Sequence, residues 1–489
     1  MSTAFHQLTA FDKYRYSTCR HIVAGVPFGR SPMRVAIVHD WLYVLGGAEK
    51  VLSALLRCYP DADVFSLFDI LSPEDRAHAG LPKSRTSFLQ RMPAIAKRHR
   101  SYLPLMPLAI EQLDVSAYDL IISSSYAVAK GILTGPDQLH ISYVHSPMRY
   151  AWDLQHQYLR EAGLTRGLKG ALARYMLHKM RLWDTRTASG VDVFIANSHF
   201  IARRIRKAYG RSADVIYPPV DVAAVLPPPA PTDGRPPFYF VASRLVAYKN
   251  VQAIVEAFKQ MPDKTLIVAG SGPELARLKA IGASNVEFVG RVSDAKLRSL
   301  MRQAKAFVFA AEEDFGIIPV EVQSEGTPVI ALGRGGLRET VVTSGPAPTG
   351  IFFDTTRPEA IAAAVAEFER NADRFTRSAC HANALRFSTS RFEQQIKTFV
   401  EQKFAAFQDQ VDLGVRQAIA AQRGDGRSGF KPINSDAGGS EVGFGQPNGH
   451  NIVKSAWPAD AYRPAQTGAG AGSPRQAKHL HHDENTELS

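Results

Sequence analysis

The chain has 489 residues, and its 45% hydrophobic and 9% aromatic content fits two folded domains with cores and excludes a chain that is disordered throughout. Its formal net charge of +12 requires an anionic partner or surface but does not indicate a fold. Three widely separated cysteines without a C-x-x-C pair give no sign of a disulfide framework, a reducing cytoplasm is the natural compartment, and no apolar run is long enough to span a bilayer.

The first part of the chain predicts an extension followed by an α/β domain. Residues 1–32 show little periodicity, whereas an apolar strand opens a domain that we assign to 33–225. Strands alternating with helices are typical of a parallel, doubly wound sheet. The predicted strands are 34–39, 63–67, 120–123, 140–143, 194–196 and 215–216, and the predicted helices are 48–58, about 160–189, and 199–209.

A proline-rich segment, 226–237, predicts a linker, and the same alternation then repeats in a second domain, 238–389. The fold class is therefore α/β, with two Rossmann-like domains facing across a cleft. Residues 424–489 are rich in Gly, Ser, Pro, Gln and Asn and predict a disordered tail. The predicted strands of the second domain are 238–242, 265–269, 286–290, 306–310, 329–331 and 351–353.

Two carboxylates, Glu313 and Glu321, flank a predicted helix start that follows a buried strand. The free backbone amides of Phe315, Gly316 and Ile317 would face an anion there. Both carboxylates can point into the crevice at the carboxyl end of the strand, where a sugar and a ribose offer hydroxyl groups. The alternative is an acidic helix N-terminus that satisfies its own dipole.

Two cations, Arg244 and Lys249, are placed by the preceding strand at the same carboxyl edge. Together they fit a diphosphate, because arginine offers a rigid fork and lysine a point charge. The alternative is a pair of surface cations near a turn. In the first domain, Gly46 and Gly47 form either a tight turn or a loop whose backbone approaches a phosphate closely.

The chain resembles the retaining glycosyltransferases of the glycogen-synthase-like family 4, which have GT-B architecture. The motifs SRLVAYKN, GSGPE, VGRVSDAKL and EEDFGIIPVEVQSEGTPVIALGRGG carry this resemblance in the second half. In the first half, VHDWLYVLGGAEKV, YVHSPMRYAWD and FIANSHFIARRIRKAYGR look like a bacterial subgroup that adds mannose or related sugars to polyprenyl-linked saccharides. The resemblance also implies that 390–423 form helices that cross back onto the first domain.

By this resemblance, Glu321 would bind the ribose and Glu313 the hydroxyl groups of the donor sugar. Arg244 and Lys249 would hold the diphosphate, helped by the amides of 315–317 and the Gly46-Gly47 loop. His145 would lie beside the donor sugar, at its 6-hydroxyl, and is not assigned as a nucleophile.

The base of the nucleotide would lie at Val292 to Asp294. Asp294 could accept hydrogen bonds from guanine, which favours GDP- over UDP-sugars, although a helix N-cap is the alternative role. No cofactor or metal is expected, because Asp61-Ala62-Asp63, a D-x-D tripeptide, is interpreted as turn chemistry. We therefore expect activity to survive chelation.

The resemblance implies a glycosyltransferase that moves a hexose, with mannose from GDP-mannose favoured, onto a polyprenyl-diphosphate-linked saccharide for exopolysaccharide or O-antigen lipopolysaccharide. One alternative is a sugar-nucleotide 2-epimerase of the same fold, in which carboxylates and histidine perform acid–base chemistry. Another is a basic nucleic-acid-binding protein, but no aromatic-rich recognition motif accompanies the charge, so no nucleic-acid partner is expected.

Basic residues interleaved with apolar ones in the first half predict contact with an anionic membrane surface. The expected location is cytoplasmic and peripheral, on the inner face of the plasma membrane. Solvated helix faces are the alternative for any one cluster. The basic members are Lys83, Arg85, Arg91, Lys97, Arg98 and Arg100; Arg160, Arg166, Lys169, Arg174, Lys179 and Arg181; and Arg203, Arg204, Arg206 and Lys207.

Overall fold

The computed structural model describes residues 33–229 and 237–422. The predicted N-terminal extension, most of the predicted linker and the predicted tail lie outside these residues. One compact unit ends at Gly414, and a second begins at Val415, of which only the end of one helix is described. Both sheets belong to the first unit.

The first sheet has seven strands, and every strand pair in it is parallel. Their order across the sheet is β3-β2-β1-β4-β5-β6-β7. The two-residue strand β3 was not predicted, because it has no apolar run of its own. The strands are β1 Val35–His39, β2 Asp63–Ser66, β3 Arg85–Thr86, β4 Leu120–Ser125, β5 Leu139–Val144, β6 Val193–Ala196 and β7 Asp214–Val215.

In the described residues up to 229, seven α-helices accompany the first sheet. Most of the helix predicted near 160–189 is present as one helix, Gly167–Thr187, but it begins later than predicted, because Gly163 and Gly167 have φ of 65° and 75° and separate it from the helix before it. Left-handed glycines end a helix, so two separate helices form. The helices are α1 Gly47–Cys58, α2 Pro73–Ala79, α3 Ile95–Arg98, α4 Met106–Glu111, α5 Gln155–Glu161, α6 Gly167–Thr187 and α7 His199–Tyr209.

The second sheet has six parallel strands in the order β10-β9-β8-β11-β12-β13. Its strands are β8 Phe238–Ala242, β9 Thr265–Ala269, β10 Val286–Gly290, β11 Ala306–Phe309, β12 Val329–Leu332 and β13 Gly350–Phe353. The helices are α8 Val251–Lys259, α9 Leu275–Ala280, α10 Asp294–Gln303, α11 Ile317–Ser324, α12 Leu337–Thr340, α13 Pro358–Arg370, α14 Arg377–Leu385 and α15 Thr389–Gln422. The prediction of an α/β fold with two Rossmann-like domains is confirmed.

The chain crosses between the two sheets twice, and the crossings are hydrogen-bonded to each other. The amide of Val220 donates to the carbonyl of Phe387 (2.9 Å), and the amide of Thr389 donates back to Val220 (3.1 Å). Beyond this point α15 returns to the first sheet, where Phe392 and Ile396 are buried in its core. The spacing of four residues keeps both side chains on one face of the helix. The two crossings thereby fix the sheets to each other.

Candidate functional site

The carboxyl ends of strands from both sheets face a cavity of about 700 Å³. In doubly wound sheets, ligands bind at this end because the loops there are free of the strand ladder. The first domain contributes the loop before α1 and the residues after β5. The second contributes the residues after β8 and the start of α11. The lining includes Gly46, Gly47, His145, Arg149, Lys249, Glu313, Phe315, Gly316, Ile317 and Glu321.

A second cavity of about 800 Å³ adjoins the first. Gly46, Lys50 and Glu321 line both, so the two form one continuous cleft. Asp294 and Arg298 of α10 line the second cavity only. The cleft therefore runs from His145 past Glu321 to Asp294 and presents different side chains along its course.

Each of the two carboxylates singled out in the sequence contacts a lysine. Lys249 Nζ donates to Glu313 Oε1, and both side chains are mostly buried. Lys50 Nζ donates to Glu321 Oε1 across the cleft at 2.5 Å. Sequence reasoning missed Lys50, although its position one turn after the Gly-Gly pair was a usable signal. The cleft thus combines hydroxyl-binding carboxylates with cations that can neutralise phosphate.

Backbone geometry fixes the start of α11. Gly316 has φ of 90°, and a Cβ at this position would lie 2.3 Å from Leu337 Cδ2, so only glycine fits. The loop before it is held because the amide of Gly336 donates to the carbonyl of Glu313 (2.8 Å). Close domain contact is visible at Gly47, where a Cβ would lie 2.6 Å from Ile317 Cδ1. The first amides of α11 therefore lie beside the Gly-Gly loop.

Sequence reasoning also missed Asp314, which joins the two domains. Its buried carboxylate accepts hydrogen bonds from Arg149 and, at 3.1 Å, from Arg204. Burial raises the pKa of the Asp314 carboxyl, and the two guanidinium groups act in the opposite direction. Arg204 also contacts Asp153, whereas Arg149 pairs with Asp314.

His145 lies against the first domain's sheet and lines the cavity. Its Nε2 is 2.8 Å from Ser124 Oγ, and its ring makes edge contacts with Tyr126 and Tyr143. Burial lowers the pKa of His145 to about 3. The ring is therefore neutral near pH 7 and has one donor and one acceptor nitrogen.

Three predicted site residues are placed differently from the rest. Arg244 is exposed and lines neither cavity, so the structure does not bring it to Lys249. Val292 packs on the core of the second sheet. The N-cap alternative for Asp294 is wrong, since Ser293 caps α10 by accepting from the Lys296 amide, which leaves the Asp294 carboxylate at the cleft.

The D-x-D tripeptide lies away from both cavities, and Asp63 is engaged by Tyr118 (2.5 Å) and Arg85 (3.1 Å). Within 33–229 and 237–422, no group of three His, Cys, Asp or Glu side chains is arranged to hold a metal ion. Metal-independent activity stays a prediction.

Comparison with known proteins agrees with this architecture. The model of Glycosyltransferase Family 4 matches residues 45–224, and the model of Glycosyl transferases group 1 matches residues 226–386. These matches meet at the predicted linker and together span most of the chain. The chain belongs to the family 4 glycosyltransferases of GT-B architecture.

Curated relatives include a GDP-mannose-dependent alpha-(1-6)-phosphatidylinositol monomannoside mannosyltransferase of Mycobacterium tuberculosis, 29% identical over 39% of this chain and 55% of the relative. A monoacylated-substrate counterpart from Corynebacterium glutamicum is 31% identical over 31% of this chain and 47% of the relative. The chain thus spans about half the length of the curated relatives it matches.

Among solved structures, the Anabaena protein Alr3699/HepE in complex with UDP has a TM-score of 0.56 at 19% identity. The match covers 76% of this chain and 100% of that protein. At this identity the similarity shows the fold alone.

Proposed function

We propose that the protein transfers a hexose, with retention, from GDP-mannose to a polyprenyl-diphosphate-linked saccharide in exopolysaccharide or O-antigen assembly. The observation that carries the proposal is the two-domain cleft in which Lys249 contacts Glu313 and Lys50 contacts Glu321. The relatives named as GDP-mannose-dependent support the choice of donor. The polyprenyl acceptor and its pathway rest on the resemblance of the first-domain motifs.

The arrangement supports charge stabilisation rather than a covalent intermediate. Glu313 would bind sugar hydroxyl groups and Glu321 the ribose, while Lys249, Lys50 and the first amides of α11 would face the diphosphate. Cations in a water-poor cleft stabilise the negative charge that develops on a departing diphosphate. The acceptor hydroxyl would attack from the face that the diphosphate leaves, with a phosphate oxygen taking its proton.

The donor is tested by thermal shift with GDP-mannose, UDP-glucose and ADP-glucose. A ligand that binds only the folded state stabilises it by about 2.7 kcal/mol at a hundred times its dissociation constant. We expect the largest rise in melting temperature with GDP-mannose. A larger rise with UDP-glucose would contradict the base assignment while leaving the cleft intact.

The reaction is tested by nucleotide release with and without a polyprenyl-linked saccharide. Transfer requires the acceptor, so GDP should appear only when it is present. Sugar epimerisation without an acceptor would support the 2-epimerase alternative. No shift with any sugar nucleotide, together with tight salt-sensitive DNA binding, would support the nucleic-acid alternative.

Contact with the membrane is supported by the exposed face of α6. Leu168, Leu172, Tyr175 and Leu182 are 91%, 58%, 52% and 54% exposed, and their spacing places them on one side of the helix with Lys179. The one carboxylate of α6, Asp184, is buried. An apolar stripe with cations and no exposed carboxylate suits an anionic lipid surface.

Membrane binding is tested by sedimentation with vesicles of phosphatidylglycerol and phosphatidylcholine. Leu168→Asp with Leu172→Asp should abolish binding, and neutralising Lys97, Arg98 and Arg100 should weaken it. Leu385→Asp changes an exposed leucine on α14 and is the matched control. Equal binding by all variants would contradict the membrane proposal. In the described part of the chain, no helix is both long and apolar enough to cross a bilayer.

A further inference from the structure

A chain of buried polar side chains runs from His145 into the first domain. Ser124 Oγ lies 2.8 Å from His145 Nε2 and 3.1 Å from His39 Nδ1. His39 Nε2 in turn lies 3.5 Å from Glu49 Oε1. His39, Ser124 and Glu49 are all buried, at 0%, 0% and 5% exposure. Burying this many polar groups is costly unless each has a partner, so the order of donors and acceptors is constrained.

Glu49, the last member of this chain of polar side chains, is hydrogen-bonded to the Gly46-Gly47 loop. Glu49 lies in the first turn of α1, and its second oxygen, Oε2, accepts from the amide of Gly46 at 2.9 Å. The same carboxylate therefore holds the loop and the histidine chain. Gly46 and His145 both line the first cavity, so the polar chain connects two walls of the cleft through the interior of the domain.

The carboxylate determines the direction of every hydrogen bond in the chain. A carboxylate can only accept, so His39 Nε2 must carry a proton, and in a neutral His39 ring Nδ1 is then the acceptor. Ser124 then donates its hydroxyl proton to His39 Nδ1. Its oxygen is left to accept from His145, which requires the proton of His145 to be on Nε2.

The other ring nitrogen of His145, Nδ1, is available to a ligand in the cavity. Nδ1 makes no hydrogen bond to any residue within 33–229 and 237–422, and the ring lines the cavity wall. With its proton on Nε2, a neutral ring presents an unprotonated Nδ1 lone pair there. Such an atom accepts a hydrogen bond from a hydroxyl group but repels a carboxylate or phosphate oxygen.

We propose that Glu49, His39 and Ser124 are positioning residues that fix His145 as a hydrogen-bond acceptor, so that the cleft selects a sugar with a hydroxyl and rejects one with a carboxylate at that position. This inference rests on the proposed function for the identity of the ligand. The direction of the hydrogen bonds does not depend on it.

A second buried serine–histidine pair provides a matched control, and its serine is the residue before Ser124 on β4. Ser123 Oγ lies 2.9 Å from His140 Nε2, and His140 Nδ1 is 3.3 Å from the carbonyl of Gly190. This pair is also buried, but neither residue lines either cavity. Ser123→Ala removes a similar hydrogen bond without touching the polar chain.

The decisive variant is Glu49→Gln, which is nearly isosteric. Its amide oxygen can still accept from the Gly46 amide, which turns the NH₂ group toward His39 Nε2. The NH₂ group donates to His39 Nε2, so the proton of His39 moves to its Nδ1 and is donated to Ser124. The Ser124 hydroxyl then donates to His145 Nε2, and the proton of His145 moves to its own Nδ1. One substitution should therefore reverse the whole chain.

The first experiment measures the histidine protonation site by nitrogen-15 NMR on the full chain labelled at histidine. The His145 signal is assigned by its loss in His145→Asn. We expect the proton on Nε2 in the natural sequence and in Ser123→Ala, and on Nδ1 in Glu49→Gln. A His145 proton on Nδ1 in the natural sequence, or no change in Glu49→Gln, would overturn the proposal.

The second experiment measures selectivity with GDP-mannose and its 6-deoxy and 6-carboxylate analogues. The natural sequence should prefer the hydroxyl by about tenfold in kcat/KM over the 6-deoxy sugar and by more over the 6-carboxylate. Glu49→Gln should reduce the preference over the 6-carboxylate, whereas the preference over the 6-deoxy sugar should stay, because a protonated Nδ1 can still donate to a hydroxyl oxygen. Ser124→Ala should reduce the preference over the 6-carboxylate if Glu49→Gln does not fold. Ser124→Thr retains the hydroxyl and should restore the preference.

The two proposals fail in distinguishable ways. If no sugar nucleotide is turned over but the protonation sites change as expected, the proposed function is wrong and the hydrogen-bond direction stands. If GDP-mannose is transferred but the 6-carboxylate is accepted equally well, the acceptor role of His145 is overturned and the proposed function stands.

Discussion

The two edges of the second sheet both carry clusters of lysine and glutamate, but they use them differently. At the amino edge, Glu369 accepts hydrogen bonds from Tyr239 and Lys305, both at 2.8 Å, and pairs with Lys264 at 2.7 Å. All four groups belong to one domain. At the carboxyl edge, Lys249 contacts Glu313 inside a cavity whose other wall is the first domain.

The difference shows that an ion pair cannot be interpreted from residue types alone. The amino-edge cluster contacts neither of the cavities and ties β8 to the segments before β9 and β11, so it stabilises the fold. The carboxyl-edge groups lie where a ligand can contact them, because parallel strands direct their following loops to that edge. Substitutions at the two edges should therefore separate activity from stability.

The largest effect should come from Lys249→Ala at the carboxyl edge. Removing a cation that faces the diphosphate should lower kcat by about 10²–10³-fold while the protein stays folded. Initial rates and a thermal melt on the same sample check this. Lys305→Ala, at the amino edge, is the matched control and should retain the natural rate. Equal rates in both variants would remove Lys249 from the site.

Asp314→Ala should affect stability as well as activity. It leaves Arg149 and Arg204 near each other without the carboxylate that they share between the domains. Breaking a buried ion pair costs about 3–5 kcal/mol of unfolding free energy. Urea unfolding measures this loss. A loss below about 1 kcal/mol would show that the domains are held together without Asp314.

Glu369→Gln should lower the unfolding free energy at neutral pH and make it less dependent on acid. Burial acts to raise the pKa of Glu369, but hydrogen bonds from Lys264, Lys305 and Tyr239 outweigh it and lower the pKa to about 2. A folded-state pKa below the unfolded value stabilises the protein above about pH 4.5, and this contribution is lost as the pH falls toward 2.

Because Glu369 is partly exposed, solvent screening reduces its contribution to about 1 kcal/mol. The unfolding free energy of Glu369→Gln, measured from pH 6 to pH 3, should fall less steeply than that of the natural sequence. Its transfer rate should be unchanged. A parallel fall in both proteins would show that the cluster contributes nothing to acid stability.

The smallest expected effect is that of a chelator. If Lys249, Lys50 and the amides of α11 neutralise the diphosphate, EDTA should leave the rate unchanged. Complete loss of activity that magnesium or manganese restores would show that a metal ion does this work. The carboxyl-edge lysines would then have only a binding role.

Most strands could be predicted from the sequence because each is a short apolar run between turn residues, as in 238–242 and 265–269. The strand β3 could not, since two residues carry no periodicity. The break between α5 and α6 depended on two left-handed glycines, whose conformation is not visible in an apolar pattern.

Some residues of the candidate site could likewise be predicted from the sequence, and others could not. Glu313, Glu321, Lys249, the Gly46-Gly47 loop and His145 were identified from motifs, and all of them line the cleft. Arg244 was grouped with Lys249 because both follow one strand, but its side chain lies outside the cavities. Asp314 could not be singled out from the sequence, because it is one of three consecutive carboxylates at 312–314.

The sequence by itself determined the order of the elements, the two α/β domains and the family, because local periodicity and contiguous motifs encode them. Only the tertiary structure decided which side chains contact each other across the two domains. Lys50 meets Glu321 across 271 residues of chain, and Arg149 meets Asp314 across 165. The physical reason is that such pairs depend on how two separately folded sheets are joined by the crossings at Val220 and α15. The hydrogen bonds that connect His145 to Glu49 were likewise decided by the tertiary structure. They form because neighbouring strands of the first sheet bring these side chains together in the interior of the domain.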